Sequence, residues 1–209
     1  MVHEKEIKRR FLSLPPFLQR HSHIVGCYAQ RLVEYIWETK GPSFFLEMDL
    51  TLLPSLYLMG KYHDIGKSAI ASEIWQKNDA LTKTERKLVE AHTYLGAYII
   101  RNHILLPQRE CKQPKLWEAV AQCCQYHHEY WDGSGYPLGV AGVDIPLFAR
   151  IVGIADAYDA MTADRPYHKG IPRREALEEI QRHAQRQFDP SLVTLFCQAM
   201  QDITVTTAL

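Results

Sequence analysis

The spacing of apolar residues in this chain is helical almost throughout. Between residues 17 and 39 one face of the pattern repeats in steps of three and four, and it stops before Gly41; its members are His21, Ile24, Val25, Tyr28 and Leu32. That repeat is typical of an amphipathic α-helix, whereas the alternation expected of β-strands is weak everywhere in the chain. We therefore predict an all-α fold.

The same pattern predicts about seven helices, over residues 17–39, 50–64, 82–102, 115–129, 146–163, 173–187 and 190–203. Thr82 and Glu85 have the spacing of a capping box, and Pro146 suits the first turn of its helix. A chain of 209 residues can bury one substantial core, and it contains no internal repeat or long linker. We expect one domain over residues 1–209.

Composition and charge exclude several classes of protein. Lysine plus arginine balance aspartate plus glutamate at 24 each, so no overall field favours a nucleic-acid polymer. The N-terminus is charged and lacks the apolar stretch of a signal peptide, and the most apolar segment, residues 50–60, is too short to span a membrane. Five cysteines form no CxxC pair and leave one thiol over, which is typical of a reducing compartment. We expect a cytoplasmic protein.

Several ionisable residues interrupt helices that are otherwise apolar. His63 and Asp64 end the segment 50–64. An unpaired buried carboxylate there would be costly, and a hydrogen bond to His63 or an ion pair with Lys67 would offset that cost. His21 and His92 each share a helix face with apolar residues. Taken singly, each of these histidines is compatible with a core residue that has found a hydrogen-bond partner.

Three further residues change that interpretation. His127 and His128 are consecutive at a helix end, so their rings diverge and can approach a metal ion from two sides. Asp156 lies in another apolar helical run. Five inward-facing imidazoles and two carboxylates thus come from five helices, and a metal centre neutralises the carboxylates while accepting the imidazole nitrogens. The nitrogen and oxygen donors suit iron(II), manganese or zinc, and seven ligands indicate two ions that share Asp64.

Longer motifs in the chain resemble a known family. They are HDIGK at 63–67, His92 within EAHTYLGA, HHEYWDGSGYP at 127–137, ARIVGIADAYDAMTADRPY at 149–167 and FDP at 188–190. In this order they resemble the HD-GYP family, within the HD superfamily of metal-dependent phosphohydrolases, from about Pro16 to Phe196. The resemblance implies an HD-domain helical bundle with a glycine-rich GYP loop.

The resemblance also implies a two-metal site. One ion would be held by His21, His63, Asp64 and Asp156, and the other by Asp64, His92, His127 and His128. Iron or manganese is the expected metal, with zinc, magnesium, nickel or cobalt as alternatives.

A substrate and a reaction follow from the same resemblance. Members of the family hydrolyse cyclic di-GMP to pGpG, or on to GMP, through a hydroxide that bridges the metals. Asp64 would be catalytic as the shared ligand, and Lys67 would contact a phosphate and support the developing charge. Arg165 would also meet phosphate, and Tyr136 would lie near the guanine base. The GYP turn would help to recruit GGDEF-domain proteins, and a homodimer is compatible with the resemblance.

The chain departs from the family pattern at a few positions. Phe17 stands where members with a third metal site carry glutamate, so two metals are expected. His168 stands where arginine or lysine is common, and the segment 101–115 is longer than usual, which could reshape the pocket entrance. Cys123 and Cys124 come four residues before the paired histidines, and we expect them to pack in the core rather than to bind metal.

Two other functions are compatible with these residues. The metal site could act on another nucleotide, such as a different cyclic dinucleotide, a dNTP or an alarmone, although the GYP and DRPY strings argue against most of these. A weakly active scaffold that binds GGDEF proteins through the GYP loop is the other alternative. A scaffold, however, has no physical need for seven converging ligands.

Overall fold

Helices form nearly all of the regular structure in the computed structural model, which describes residues 2–46, 49–75, 80–105, 111–164 and 169–201. The α-helices are α1 Val2–Ser13, α2 Pro16–Lys40, α3 Leu56–Tyr62, α4 Ser72–Trp75, α5 Lys83–Glu90, α6 His92–Ile100, α7 Pro114–Tyr126, α8 Leu147–Thr162, α9 Arg173–Arg182 and α10 Pro190–Gln201. Within the described ranges there is no β-strand, and one isolated β-bridge joins Ala184 and Phe188. The predicted all-α fold is confirmed.

Short 3-10 and π segments connect these helices. The 3-10 segments are Pro42–Phe45, Leu50–Ser55, Ile65–Ala69 and Gly142–Asp144, and Arg101–Leu105 forms a π-helical turn. The last of these lies in the long segment 101–115, of which residues 106–110 fall outside the described residues.

Two predicted helices are divided in the structure. The segment 50–64 begins as a 3-10 turn that contains Pro54 and becomes α-helical only at Leu56, because proline cannot donate the backbone hydrogen bond of a helix interior. The segment 82–102 breaks at Ala91, which separates α5 from α6. The predicted capping box is present, with the Thr82 hydroxyl accepting from the Glu85 N–H and the Glu85 carboxylate accepting from the Thr82 N–H.

The N-terminal helix α1 was not predicted, because its sequence is dominated by charge. Its inner face nevertheless buries Ile7 and Phe11, whose side chains are 0% and 3% exposed. Phe11 packs edge-on against His23 and Tyr62. His23 is therefore half-buried, and its Nδ1 lies 2.6 Å from the Tyr57 hydroxyl.

Helix α2 is the central element of the fold. It packs along α3 and α8 and contacts α10, while α6 lies against α7, and α7 contacts α3 and α8. This arrangement brings the inner face of α2, the end of α3, the start of α6, the end of α7 and the middle of α8 to one place. The predicted ligands lie on those five segments, so the fold positions them together.

One close backbone approach fixes the start of α6 over the HDIGK turn. A Cβ atom on Gly66 would lie 1.9 Å from the backbone oxygen of His92 and 2.6 Å from the nitrogen of Gly96. No side chain can occupy that space, so glycine permits His92 to stand directly above the His63–Asp64 turn. Among the described residues, none of the helices is long and apolar enough to cross a bilayer.

Candidate metal centre

Seven side chains predicted as ligands meet in the interior of the helical bundle. His21, His63, Asp64, His92 and His127 are buried, with exposures between 0% and 6%, while His128 and Asp156 are partly exposed at the edge of a cavity. The imidazole rings pack against one another, with centroids 4.1 Å apart for His127 and His128 and 4.8 Å apart for His63 and His127. Residues far apart in the chain thus form one cluster, which we call the His–Asp cluster.

Asp64 lies at the centre of the His–Asp cluster. Its Oδ1 is 3.2 Å from Nε2 of His92 and 3.8 Å from Nε2 of His127. Its Oδ2 is 3.4 Å from Nε2 of His63 and 2.5 Å from Nζ of Lys67. The carboxylate therefore faces three imidazoles and an ammonium group at once.

Three of the imidazoles are oriented by backbone carbonyl groups. Nδ1 of His63 donates to the Gly60 oxygen at 2.6 Å, and Nδ1 of His92 donates to the Val89 oxygen at 2.6 Å. Nδ1 of His127 faces the oxygens of Cys123 and Cys124 at 3.0 and 2.9 Å. Because a carbonyl oxygen only accepts, these bonds place the proton on Nδ1 and direct Nε2 into the cluster, as metal-binding histidines require.

His21 is oriented by a carboxylate instead. Its Nδ1 lies 2.5 Å from Oδ2 of Asp159, and its Nε2 lies 3.0 Å from Oδ1 of Asp156. Asp159 is 2% exposed. A carboxylate behind an imidazole fixes the ring and makes its inner nitrogen a stronger donor to a metal. Asp159 was noted in the sequence only as a neighbour of Asp156, and its position behind His21 depends on the packing of α2 against α8.

Burial keeps most of the imidazoles neutral. Desolvation lowers the pKa of His92 to about 3, and it lowers the pKa of His128 to about 4 against the opposing effect of Asp156 and Asp64. Desolvation, together with the neighbouring His128, also holds the pKa of His127 well below its usual value. Neutral imidazole is the form that binds a metal ion, so these three rings are prepared to act as ligands at neutral pH.

The carboxylates of the His–Asp cluster need a cation. Burial lowers the pKa of His63, but Asp64 and Asp156 outweigh burial and raise it to about 10, so without another cation a proton on His63 offsets their charge. Two enclosed atoms, Nε2 of His63 and Oδ1 of Asp64, make no hydrogen bond within the described residues. Nε2 of His92 and Nε2 of His127 also face each other at 3.3 Å. Divalent cations between these atoms would satisfy all of them, so the donor set fits a metal centre.

The donor atoms form overlapping groups in which all atoms lie within 4.8 Å of one another. The groups are Asp64, His92, His127 and His128; His21, His63 and Asp64; and His63, His127 and Asp156. The first group has the same members as the set that the resemblance implies for one ion. The other two groups together contain the four residues implied for the second ion, with His127 in addition, and Asp64 belongs to two of the three groups.

A cavity of about 380 Å³ adjoins the His–Asp cluster on one side. His127, His128 and Asp156 line its near wall, and Tyr136 lines it with a ring centroid 4.8 Å from that of His128. A volume of this size is ordinary for a small-molecule site. The structure therefore brings Tyr136 to the cluster through the glycine-rich loop.

Lys67 lies beside Asp64. It lines a second cavity of about 440 Å³ near Ser13, Ser68 and Ser72, and it is held by Asp64. Lys67 and Tyr136 thus line separate cavities beside the cluster. Arg165, the remaining predicted phosphate contact, and His168 lie outside the described residues.

The glycine-rich loop, residues 129–145, is built around a buried carboxylate that the sequence reasoning missed. Glu129 is 6% exposed, and its two oxygens accept from the N–H groups of Leu138 at 2.6 Å and Gly139 at 2.9 Å. A Cβ atom on Gly135 would lie 2.3 Å from the nitrogen of Tyr130, so only glycine fits there. The signal in the sequence is the glutamate that follows the paired histidines, before a segment rich in glycine.

Cys123 and Cys124 pack in the core, as expected. Both are 0% exposed, and burial raises the pKa of both thiols, which keeps them protonated. The Cys124 thiol donates to the oxygen of Tyr62 at 3.2 Å. The two cysteines contribute to the site through their backbone oxygens, which orient His127, and not through sulfur.

Comparison with known proteins agrees with this geometry. A family model described as HD domain matches residues 16–192. The chain belongs to the HD domain family. Its GYP and FDP motifs and its relatives place it in the HD-GYP branch.

Two similar HD-GYP relatives are named as cyclic di-GMP phosphodiesterases. One, from Thermotoga maritima, is 30% identical over 185 residues, which is 88% of this chain and 45% of that protein. The other, PA4108 from Pseudomonas aeruginosa, is 38% identical over 157 residues, which is 74% of this chain and 35% of that protein. This chain therefore spans less than half the length of these curated relatives.

A third relative and a solved structure complete the comparison. The relative is the 3′3′-cGAMP-specific phosphodiesterase 2 of Vibrio cholerae, 29% identical over 93% of this chain and 35% of that protein. The structure is Bd1817, an HDG"Y"P protein from Bdellovibrio bacteriovorus, which matches with a TM-score of 0.62 at 18% identity over 88% of this chain and 52% of that one. It supports the HD-type helical fold.

Proposed function

We propose that this HD-GYP protein is a metal-dependent phosphodiesterase that hydrolyses cyclic di-GMP. Relatives at 30% and 38% identity carry that activity in their names. The observation that carries the proposal is the position of Asp64, a buried carboxylate that faces three imidazoles and leaves an enclosed oxygen without a hydrogen bond. Cations would neutralise such a cluster and satisfy its unpaired atoms, and paired cations are suited to phosphodiester hydrolysis.

The proposed ligands are His21, His63, Asp64 and Asp156 for one ion and Asp64, His92, His127 and His128 for the other. We propose iron(II) or manganese, because nitrogen and carboxylate donors without thiolate suit these ions. Bound metal would supply an activated water molecule at neutral pH and neutralise the non-bridging phosphate oxygens.

The chain's own residues would hold and orient the substrate. Lys67, fixed beside Asp64 at 2.5 Å, places an ammonium group where charge develops on the phosphate. Tyr136 lies beside His128, and burial is the largest of the effects that raise the pKa of its hydroxyl, so it remains a neutral hydrogen-bond donor. The buried walls around His63 and His127 exclude bulk water, which strengthens each of these interactions.

A second candidate substrate is 3′3′-cGAMP. A relative named for that substrate aligns over 93% of this chain at 29% identity, close to the 30% of the Thermotoga relative. The metal chemistry would be the same, since the two cyclic dinucleotides differ in one base. Cleavage of either ring would give a linear dinucleotide first, and a second cleavage would give mononucleotides.

We also propose that the glycine-rich loop can dock a GGDEF-domain protein. Leu138 and Val143 on this loop are 49% and 64% exposed, so the loop presents two apolar side chains that a partner surface could cover. Replacing both with aspartate should weaken binding to a purified GGDEF domain while leaving metal content unchanged.

The direct test of the proposed function is hydrolysis by protein purified without oxygen and loaded with iron(II) or manganese. Cyclic di-GMP, 3′3′-cGAMP, cyclic di-AMP, a dNTP and ppGpp should be offered in parallel, with products separated by chromatography. We expect rapid cleavage of cyclic di-GMP, with two metal equivalents per chain. Cleavage confined to a dNTP or to ppGpp would contradict the proposal.

Asp64→Ala should remove both bound metal and turnover, because it deletes the shared carboxylate. Asp144→Ala is the matched control, since Asp144 is an exposed carboxylate at the end of the glycine-rich loop. Retained turnover in the Asp64 variant, at more than about a hundredth of the wild-type rate, would show that the cluster is not the catalytic site.

A further inference from the structure

The cavity beside the His–Asp cluster continues to a polar wall formed by helix α9 and the residues that follow it. Its near wall contains His128 and Asp156, and its far wall contains Glu179, His183 and Gln187. Both walls belong to one continuous space of about 380 Å³. A ligand whose phosphate lies at the cluster therefore extends toward α9.

The side walls of this cavity suit a flat ring. Gly153, Ala157 and Ala160 line it from α8 and leave room along that part of the wall, while Arg150 and Met161 also line it from the same helix. Tyr130 and Tyr136 line it from the glycine-rich loop, and both offer an aromatic surface. Proteins bind extruded or single-stranded nucleobases between such surfaces and read them at their hydrogen-bonding edge.

Glu179 supplies an acceptor at the far wall. Its side chain is 32% exposed, and it interacts with Arg182 at the end of its own helix and, at 3.3 Å, with Nδ1 of the following residue, His183. An ionised carboxylate offers about four lone-pair positions, so these neighbours leave it able to accept further hydrogen bonds.

We propose that Glu179 recognises a guanine base of the substrate. Guanine presents a ring N–H and an exocyclic amine side by side, and a carboxylate can accept from both together. Adenine presents a ring nitrogen without hydrogen at the corresponding position, which would face the carboxylate unfavourably. The inference rests on the proposed function, because the guanine would belong to the nucleotide cleaved at the adjoining cluster, and it makes Glu179 a specificity-determining residue.

Mononucleotide binding tests this subsite without requiring turnover. GMP and IMP differ only in the exocyclic amine, so titration calorimetry with both isolates the second hydrogen bond. Wild-type protein should bind GMP about 10-fold more tightly than IMP, and E179Q should reduce that ratio to about 2-fold or less, because the amide keeps one acceptor and adds a donor. An unchanged ratio in E179Q, or a wild-type protein that does not distinguish the two nucleotides, would overturn the proposal.

Glu178 provides the matched control. It is the neighbouring residue on α9, its side chain is 53% exposed, and it pairs with Arg174 at 3.0 Å. E178Q removes the same charge from the same helix but should keep the wild-type GMP-to-IMP ratio. Loss of the ratio in E178Q as well would show an effect of helix charge and would overturn the assignment to Glu179.

Hydrolysis separates this proposal from the proposed function. The ratio of kcat/KM for cyclic di-GMP to that for cyclic di-AMP should fall about 10-fold in E179Q, with metal content unchanged. If wild-type protein cleaves cyclic di-GMP and E179Q keeps that ratio, the function stands and the guanine subsite is wrong. If wild-type protein cleaves no cyclic dinucleotide yet prefers GMP through Glu179, the subsite stands and the function is wrong.

Discussion

The His–Asp cluster and the glycine-rich loop are both rich in polar groups, but the two regions differ in whether those groups are hydrogen-bonded within the chain. In the loop, polar groups satisfy one another: Glu129 accepts from two backbone N–H groups, and Asp132 accepts from the backbone and hydroxyl of Ser134. In the cluster, His63 and Asp64 retain enclosed atoms without hydrogen bonds among the described residues. The polar groups of the loop are satisfied within the chain, whereas those of the cluster would be satisfied by bound metal ions.

Paired and unpaired polar groups contribute differently to stability and to function. Polar groups that are paired within the chain, such as those of the loop, contribute to the free energy of unfolding directly. Polar groups that converge without pairing lower the free energy of unfolding. A ligand that binds them in the folded state raises it again. Metal should therefore act through the cluster, and removal of the paired carboxylate of Glu129 should act on folding.

The largest expected effect is stabilisation by metal. Manganese(II) at about 1,000 times its dissociation constant should raise the free energy of unfolding by about 4 kcal/mol per site, which corresponds to roughly 10 °C in the thermal midpoint. Thermal unfolding of metal-free protein with and without manganese measures this shift. A Glu129 variant should show the same shift as wild type. A wild-type midpoint that does not move with manganese would contradict metal binding at the cluster.

Glu129→Ala should lower the free energy of unfolding by about 2 kcal/mol, because the N–H groups of Leu138 and Gly139 lose their acceptors. Denaturant unfolding of metal-free protein gives the value. Glu129→Gln keeps one acceptor and should lose about half as much. If Glu129→Ala instead released metal while folding stability stayed constant, Glu129 would belong to the cluster and not to the loop.

Asp159→Asn should have the smallest of the three effects, on metal affinity. The asparagine keeps the packing behind His21 but removes the charge that strengthens its inner nitrogen, so affinity for one ion should fall about 10-fold. Competition with a chelator measures the affinity of each site. Equal weakening of both sites, or of neither, would contradict the position assigned to Asp159.

Much of this site was accessible from the sequence because its residues break the helical pattern. His21, His92 and Asp156 interrupt apolar faces, and the motifs around them resemble a family whose membership is now shown. The fold class followed from the same periodicity. Helical periodicity and short motifs involve residues that are near one another in the chain, so the sequence alone can predict them.

The features that the sequence did not predict depend on tertiary packing. The carbonyl oxygens of Val89 and Cys123 orient the rings of His92 and His127, and no side-chain pattern records the direction of a carbonyl group. The break at Ala91 likewise places His92 over Gly66, and that contact exists only in the folded chain. Glu179 lies far in sequence from every ligand and meets the cavity only through the packing of α9 against α8.

Anomalous diffraction from crystals grown without oxygen and loaded with iron(II) or manganese is the direct test of a metal centre at the His–Asp cluster. We expect two anomalous peaks about 3.5–4 Å apart on either side of the Asp64 carboxylate. One peak should contact His92, His127 and His128, and the other should contact His21 and Asp156. Strong peaks elsewhere in the molecule, with none within reach of Asp64, would contradict a metal centre at the cluster.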